Sequence, residues 1–319
     1  MTLFDENSFP PPDQEVPSSS STEADAAAPP PPSAPLELPL AGDPISLAAT
    51  LPEASSSFSD KPPLPEDLRI SWSWPHFILF AFFGFFSLIL IQAGFALYYA
   101  PLRHFSNERD FERFVLSKPE FAIGSMVLWY AFIFLFLYVT LSVLRGIPFW
   151  RTLGWRRITR RSGGRPLSPW LYFLGGGGLS LAVFVATAKV QPPENVPIEE
   201  LFRYKNTAML FMAMAVLVAP LVEETVFRGY LYPLLAKSFG VATGVIVTGV
   251  LFGLMHGAQL GWTWGLVFVL IFVGIIFTFV RARTGSVFAS FLLHLGYNSM
   301  IALVTVLGTR GFTKMPPTH

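Results

Sequence analysis

Three charged residues interrupt the apolar run AMLFMAMAVLVAPLVEETVFRGYLYPLLA, which extends from Ala208 to Ala236: Glu223, Glu224 and Arg228. A charge at the centre of a membrane helix costs about 2.5–3.5 kcal/mol on insertion scales, so three in one run need a reason. Glu224 and Arg228 are spaced i,i+4, share a helix face and can neutralise each other. Glu223 is turned roughly 100° away and has no partner within its own helix. The stretch from Ser238 to Val280 contains no Asp, Glu, Lys or Arg, and His256 stands in it within FGLMHG. Further on, FLLHLGYNSM places His294 and Asn298 on one face at i,i+4. Of the five histidines, these two lie well inside apolar runs. One intramembrane histidine is most simply a helix-to-helix hydrogen bond. Two of them, with an unpaired Glu and an Asn, point to a polar site.

A carboxylate and a histidine sharing a dry cavity can hold one water and remove its proton. A second histidine with an amide can donate hydrogen bonds to the oxygen on which charge develops when that water attacks an amide carbonyl. The same Glu223, His256 and His294 could instead ligate zinc with one position open, and the residues fit both routes. Other hydrolase chemistries lack their parts. The chain has no cysteine, which removes disulfides, thiolate nucleophiles and Cys-ligated metals. His256 is followed by Gly-Ala-Gln rather than the Glu of a His-Glu-x-x-His zinc helix. No Asp follows Asp110, so an aspartyl pair in the membrane is excluded. The Gly285-Ser286 dipeptide reads as a helix cap, not a serine elbow.

The elements that must position these residues are membrane helices. With 52% hydrophobic and only 13% charged residues among 319, the composition is that of a multi-span membrane protein. Apolar stretches long enough to cross a bilayer occur at about 75–100, 120–145, 168–189, 207–236, 240–260, 262–282 and 286–308. The expected fold is therefore an all-α, polytopic transmembrane bundle of seven spans. The third span carries Gly175–Gly178, which lowers helix propensity but lets helices pack closely in lipid; no Gly-Lys-Ser/Thr follows to make it a phosphate loop. Pro220 and Pro233 are expected to kink the span that carries the carboxylates. Counted at 1.5 Å per residue from the expected helix ends, Glu223 lies roughly 20 Å deep, His256 roughly 24 Å, His294 roughly 12 Å and Asn298 roughly 18 Å. Tilt and shifted helix ends must absorb that spread if the four are to meet.

Charge sets the expected orientation. The net charge of +1 conceals twelve Asp/Glu against a single Lys in residues 1–68, where 15 of the 28 prolines also lie. Residues 1–70 therefore read as a disordered, acidic, Pro-rich tail that buries too little apolar surface to offset its ordering entropy. It lacks the basic and apolar regions of a signal peptide. Seven arginines between Arg145 and Arg165 mark a cytoplasmic loop. The N-terminus is then cytoplasmic too, the C-terminus lies outside, and the plasma (inner) membrane is the expected location. That loop reads as a topology determinant touching anionic lipid, with no nucleic-acid partner. The expected organisation is a tail at 1–70, N-terminal spans and the basic loop at 71–205, a catalytic core at 206–308 and a short tail at 309–319.

Taken together, EETVFR, FGLMH and HLGYN resemble the Glu-Glu-x-x-x-Arg, Phe-x-x-x-His and His-x-x-x-Asn/Asp motifs of the CPBP family, also called Abi or type II CAAX prenyl endopeptidase-like intramembrane proteases. The resemblance covers about residues 205–305. It implies that Glu223 is the water-activating base, or a metal ligand, working with His256. His294 and Asn298 would form the oxyanion site, with His294 a third ligand if zinc is bound. Glu224 and Arg228 would hold the helix in place, and Phe252 would pack one turn before His256. The implied substrate is a membrane-associated peptide or protein, prenylated in some members. The same fold also serves as a non-catalytic scaffold or bacteriocin-immunity protein. A proton-coupled transporter would use intramembrane Glu and His as well, but it predicts internal repeats that the sequence does not show.

Overall fold

The computed structural model describes residues 65–99, 118–159, 165–188 and 205–312, with the single positions 101, 107, 110, 114 and 202. Among these the chain is helical and has no strand. Helix α1 is Trp74–Tyr99. Helix α2, Pro119–Leu137, continues through a π-helical turn at Tyr138–Val143. A short α3 at Phe149–Thr152 lies in the Arg-rich loop and is followed by α4, Pro169–Thr187. Helix α5 runs over Lys205–Phe239, α6 over Val241–Met255, α7 over Trp264–Thr284 and α8 over Val287–Gly308.

Six of these helices are long and apolar enough to cross a membrane, and α6, with 15 residues, is not. At about 22 Å it falls short of a hydrocarbon layer of roughly 30 Å. The expectation of seven full-length spans is corrected on this point. The apolar run at 240–260 outlasts its helix, because the chain turns at residues 256–263 with Gly261 and Trp262 both at positive φ. The chain nevertheless reverses through α6. Arg228 of α5 reaches Gly274 and Thr278 of α7, and Tyr232 lies under the guanidinium of Arg281, so α5 and α7 run parallel. The segment between them must therefore run back, and α6 does, with Gly249 against Ile275 and Gly253 against Ile271.

Glycines set the closest crossings. A Cβ on Gly176 would sit 1.9 Å from the Leu293 carbonyl oxygen, and one on Gly296 would sit 1.9 Å from that of Phe173. The glycine run in α4 is thus the packing surface expected of it, and it clasps the helix that carries His294.

Helix α5 departs from a Pro-kinked α-helix. It contains two π segments, Met214–Val218 and Glu224–Leu231, and each is followed by α-helix with a proline in its first turn, Pro220 and Pro233. Proline cannot donate to the carbonyl four residues back and its ring collides with it. A wider i→i+5 turn beside each ring relieves that clash.

Residues 65–70, grouped with the acidic tail in the sequence reading, are packed in the structure. A 3₁₀ turn at Glu66–Leu68 buries Leu68 completely, and Asp67 pairs with the buried Arg281 at 2.7 Å. The rest of the tail, residues 1–64, lies outside the described residues, as do Arg160, Arg161 and the last residues, 313–319. Ser286 stands at the N-cap of α8, but its hydroxyl donates to the Arg156 carbonyl at 2.6 Å instead of capping the helix.

Candidate active site

Glu224 is fully buried, and its Oε1 lies 3.1 Å from Arg228 Nη1, the i,i+4 ion pair expected from spacing. The π turn beginning at Glu224 leaves that pair intact. Arg228 is held from three further directions. Its Nη2 donates to the Gly274 carbonyl at 3.0 Å and its Nε to Thr278 Oγ1 at 3.3 Å, while its guanidinium lies over the Phe252 ring at 4.3 Å. Breaking one member of such a buried pair leaves an uncompensated charge at a cost of about 3–5 kcal/mol.

His294, 70 residues further along the chain, joins this pair: its Nδ1 lies 3.0 Å from the same Glu224 Oε1. Glu224 also pairs with Arg228 and is an acceptor, so Nδ1 of His294 carries the proton. His256 is fixed in the same sense. Its Nδ1 lies 2.8 Å from the Phe252 carbonyl oxygen, which can only accept. In the neutral form, both rings therefore present an Nε2 lone pair. Those two atoms converge on one oxygen, with His256 Nε2 at 3.9 Å and His294 Nε2 at 3.8 Å from Glu223 Oε2. Both separations are too long for direct hydrogen bonds and suit a bridging water.

Access distinguishes the two carboxylates. The side chains of Glu223 and His256 are 19% and 22% exposed, while Glu224 is 0% exposed. Phe252 stands between the histidines, with its ring 4.7 Å from His256 and 5.8 Å from His294, and Phe277 covers the other side of His294 at 4.7 Å. The site is walled by aromatic rings, and Glu223 and His256 are its partly exposed members.

Among the candidates, the structure brings Glu223, Glu224, Arg228, His256 and His294 together. The depth spread counted along the helices does not separate Glu223, His256 and His294, and α8 begins against the Arg-rich loop, where the Val287 amide donates to the Gly154 carbonyl at 2.8 Å. Asn298 lies one turn beyond His294. Its Nδ2 donates to the Ala215 carbonyl at 2.7 Å, and among the described residues no hydrogen bond links it to Glu223 or either histidine. That bond leaves one of its two N–H donors for other use. Also among the described residues, no group of three His, Cys, Asp or Glu side chains is placed to hold a metal ion. The Glu223, His256 and His294 set would have to draw closer to become ligands at about 2.0–2.2 Å of zinc.

Sequence reasoning missed the outer partners: the Phe252 carbonyl, Thr278, and Trp155, whose Nε1 donates to Thr225 Oγ1 at 3.1 Å beside Glu224. None carries a motif, and each acts across a long chain separation or through its backbone. Residues 205–300 match the family described as Type II CAAX prenyl endopeptidase Rce1-like. No curated protein and no solved structure matches the chain.

Proposed function

Since residues 205–300 match the type II CAAX prenyl endopeptidase Rce1-like family, we propose that the chain is an intramembrane endopeptidase whose water is activated by Glu223 and His256. The observation that carries this reading is the convergence of two Nε2 lone pairs on Glu223 Oε2, at 3.9 and 3.8 Å, at the one exposed corner of a buried charge network. A water held on Glu223 Oε2 at this corner can bridge to a histidine Nε2.

In the proposed reaction that water attacks the scissile carbonyl carbon as its proton passes to Glu223 Oε2. The C–N bond then breaks, and Glu223 returns the proton to the departing amine nitrogen, leaving a carboxyl group and an amine. The second N–H of Asn298 and, when doubly protonated, His294 Nε2 donate to the carbonyl oxygen, with Glu224 as the counter-ion of His294. Substrates are membrane-associated peptides or proteins, with or without a lipid anchor. The Arg-rich loop supports a cytoplasmic N-terminus.

The test is cleavage of quenched peptides, lipidated and plain, by detergent-purified protein and by Glu223→Gln, with and without a strong chelator. Wild-type turnover and a loss of about 10²–10⁴-fold in Glu223→Gln are expected. A fully active Glu223→Gln overturns the assignment. Turnover that survives the chelator supports the Glu/His water; turnover lost to it supports a zinc-assisted route through Glu223, His256 and His294.

A further inference from the structure

The π segment Glu224–Leu231 bears the charge network, and i→i+5 turns are rare departures from the α-helix that are frequent at functional sites. It depends on outside contacts to keep its rotation, and the contacts on its far end converge on Tyr230, which is fully buried. The Trp72 ring stacks on Tyr230 at 5.2 Å and 27°, and Trp72 Nε1 donates to the Tyr230 backbone carbonyl at 3.1 Å. His76 Nδ1 meets the Tyr230 hydroxyl at 2.6 Å, and Phe80 packs edge-on at 5.0 Å.

Trp72 is anchored in its turn. It lies at the end of a strap, residues 66–72, in which Asp67 pairs with Arg281 of α7, Glu66 pairs with Arg156 at 3.0 Å, and the Ser71 carbonyl accepts from Arg145. The same π segment also rests on the Arg-rich loop. A Cβ on Gly229 would lie 2.7 Å from the Leu153 carbonyl oxygen, and Trp155 donates to Thr225.

We propose that Tyr230, gripped by Trp72 and His76, is a positioning residue for the hydrolysis: it fixes the rotation of the π turn and so aims the Glu223 and Glu224 carboxylates. The strap before the first span is thereby part of the catalytic apparatus, although it touches no reacting atom. Displacements of about 1 Å in such a constellation cost on the order of 10²-fold in rate. This inference rests on the proposed hydrolase activity.

The experiment uses the full chain in detergent with Trp72→Phe, which keeps the stacked ring but removes the donor, and Tyr230→Phe, which removes the hydroxyl. Each is measured for kcat, KM and amide hydrogen exchange. The expected result is a fall in kcat of about tenfold at unchanged KM, the signature of an interaction that serves only the transition state. Faster exchange should be confined to residues 224–231, and α8 around His294 should stay protected. Wild-type kcat and exchange in both variants overturn the proposal. So does exchange that rises throughout the bundle with kcat falling only as the folded fraction falls. If the wild type shows no turnover with any peptide, the hydrolase reading fails separately and exchange alone decides. Selective loosening of 224–231 then upholds the clamp, and unchanged protection overturns it.

Discussion

Helices α1, α2 and α4 meet the same demand for an apolar surface as α5, α7 and α8, but the two groups are built differently. In the first group 22%, 17% and 17% of the residues in the most apolar window are buried; in the second the figures are 44%, 39% and 39%. Within the first group, α1 and α2 are joined largely by rings, such as Phe83 against Phe136 at 4.8 Å and Phe95 against Phe121 at 5.2 Å, while α4 meets α8 through its glycines. The second is held by glycine crossings and a buried ion pair. Lipid tails are as apolar as leucine and supply no hydrophobic force between helices, so close backbone contact and polar bonds must do the joining. The inner helices carry both where the carboxylates and histidines meet. What the outer helices contribute is reach, and what the inner ones contribute is precision of placement.

Substitutions that move backbones should break the inner group most severely. Gly296→Leu must push α8 off α4, and we expect loss of folded protein, on the order of 3 kcal/mol or more, read as a collapsed thermal midpoint. Gly178→Ala is the matched control, since a Cβ there meets nothing within 4 Å, and it should melt like the wild type. Arg228→Ala comes next: it strands Glu224 in a fully buried position and should cost about 3–5 kcal/mol. Equal melting of Arg228→Ala and the wild type would mean that the pair is dispensable. In the outer group, Trp129→Phe removes one hydrogen bond, Nε1 to the Gly84 carbonyl at 2.8 Å, and should cost only about 1 kcal/mol with turnover unchanged. A larger loss of activity there would blur the distinction between the two groups.

The sequence made the apolar helices, the Glu224–Arg228 pair and the packing role of the α4 glycines, borne by Gly175, Gly176 and Gly177, legible, because each depends on local spacing or on composition. It did not disclose the π turns of α5. An i→i+5 bond leaves no mark on hydrophobic periodicity, and Pro220 and Pro233 announce a distortion without naming its kind. The bond from His294 to Glu224 was hidden for another reason: it spans 70 residues, and nothing in HLGYN says which carboxylate the ring will choose. Asn298 shows the opposite case. Its spacing from His294 suggested a shared role, whereas its amide is tied to the Ala215 carbonyl. The strap at 66–72 was obscured by its neighbours, since acidic, Pro-rich composition extends right up to the residues that pack.

The account's central claim is that two adjacent carboxylates divide the work, Glu223 acting on water and Glu224 holding His294 and Arg228. The most direct test measures turnover and thermal midpoint for Glu223→Gln and Glu224→Gln side by side. The predicted result is a Glu223→Gln protein that melts like the wild type and does not turn over, beside a Glu224→Gln protein that melts lower. A stable, inactive Glu224→Gln beside an active Glu223→Gln would contradict it and exchange the two roles.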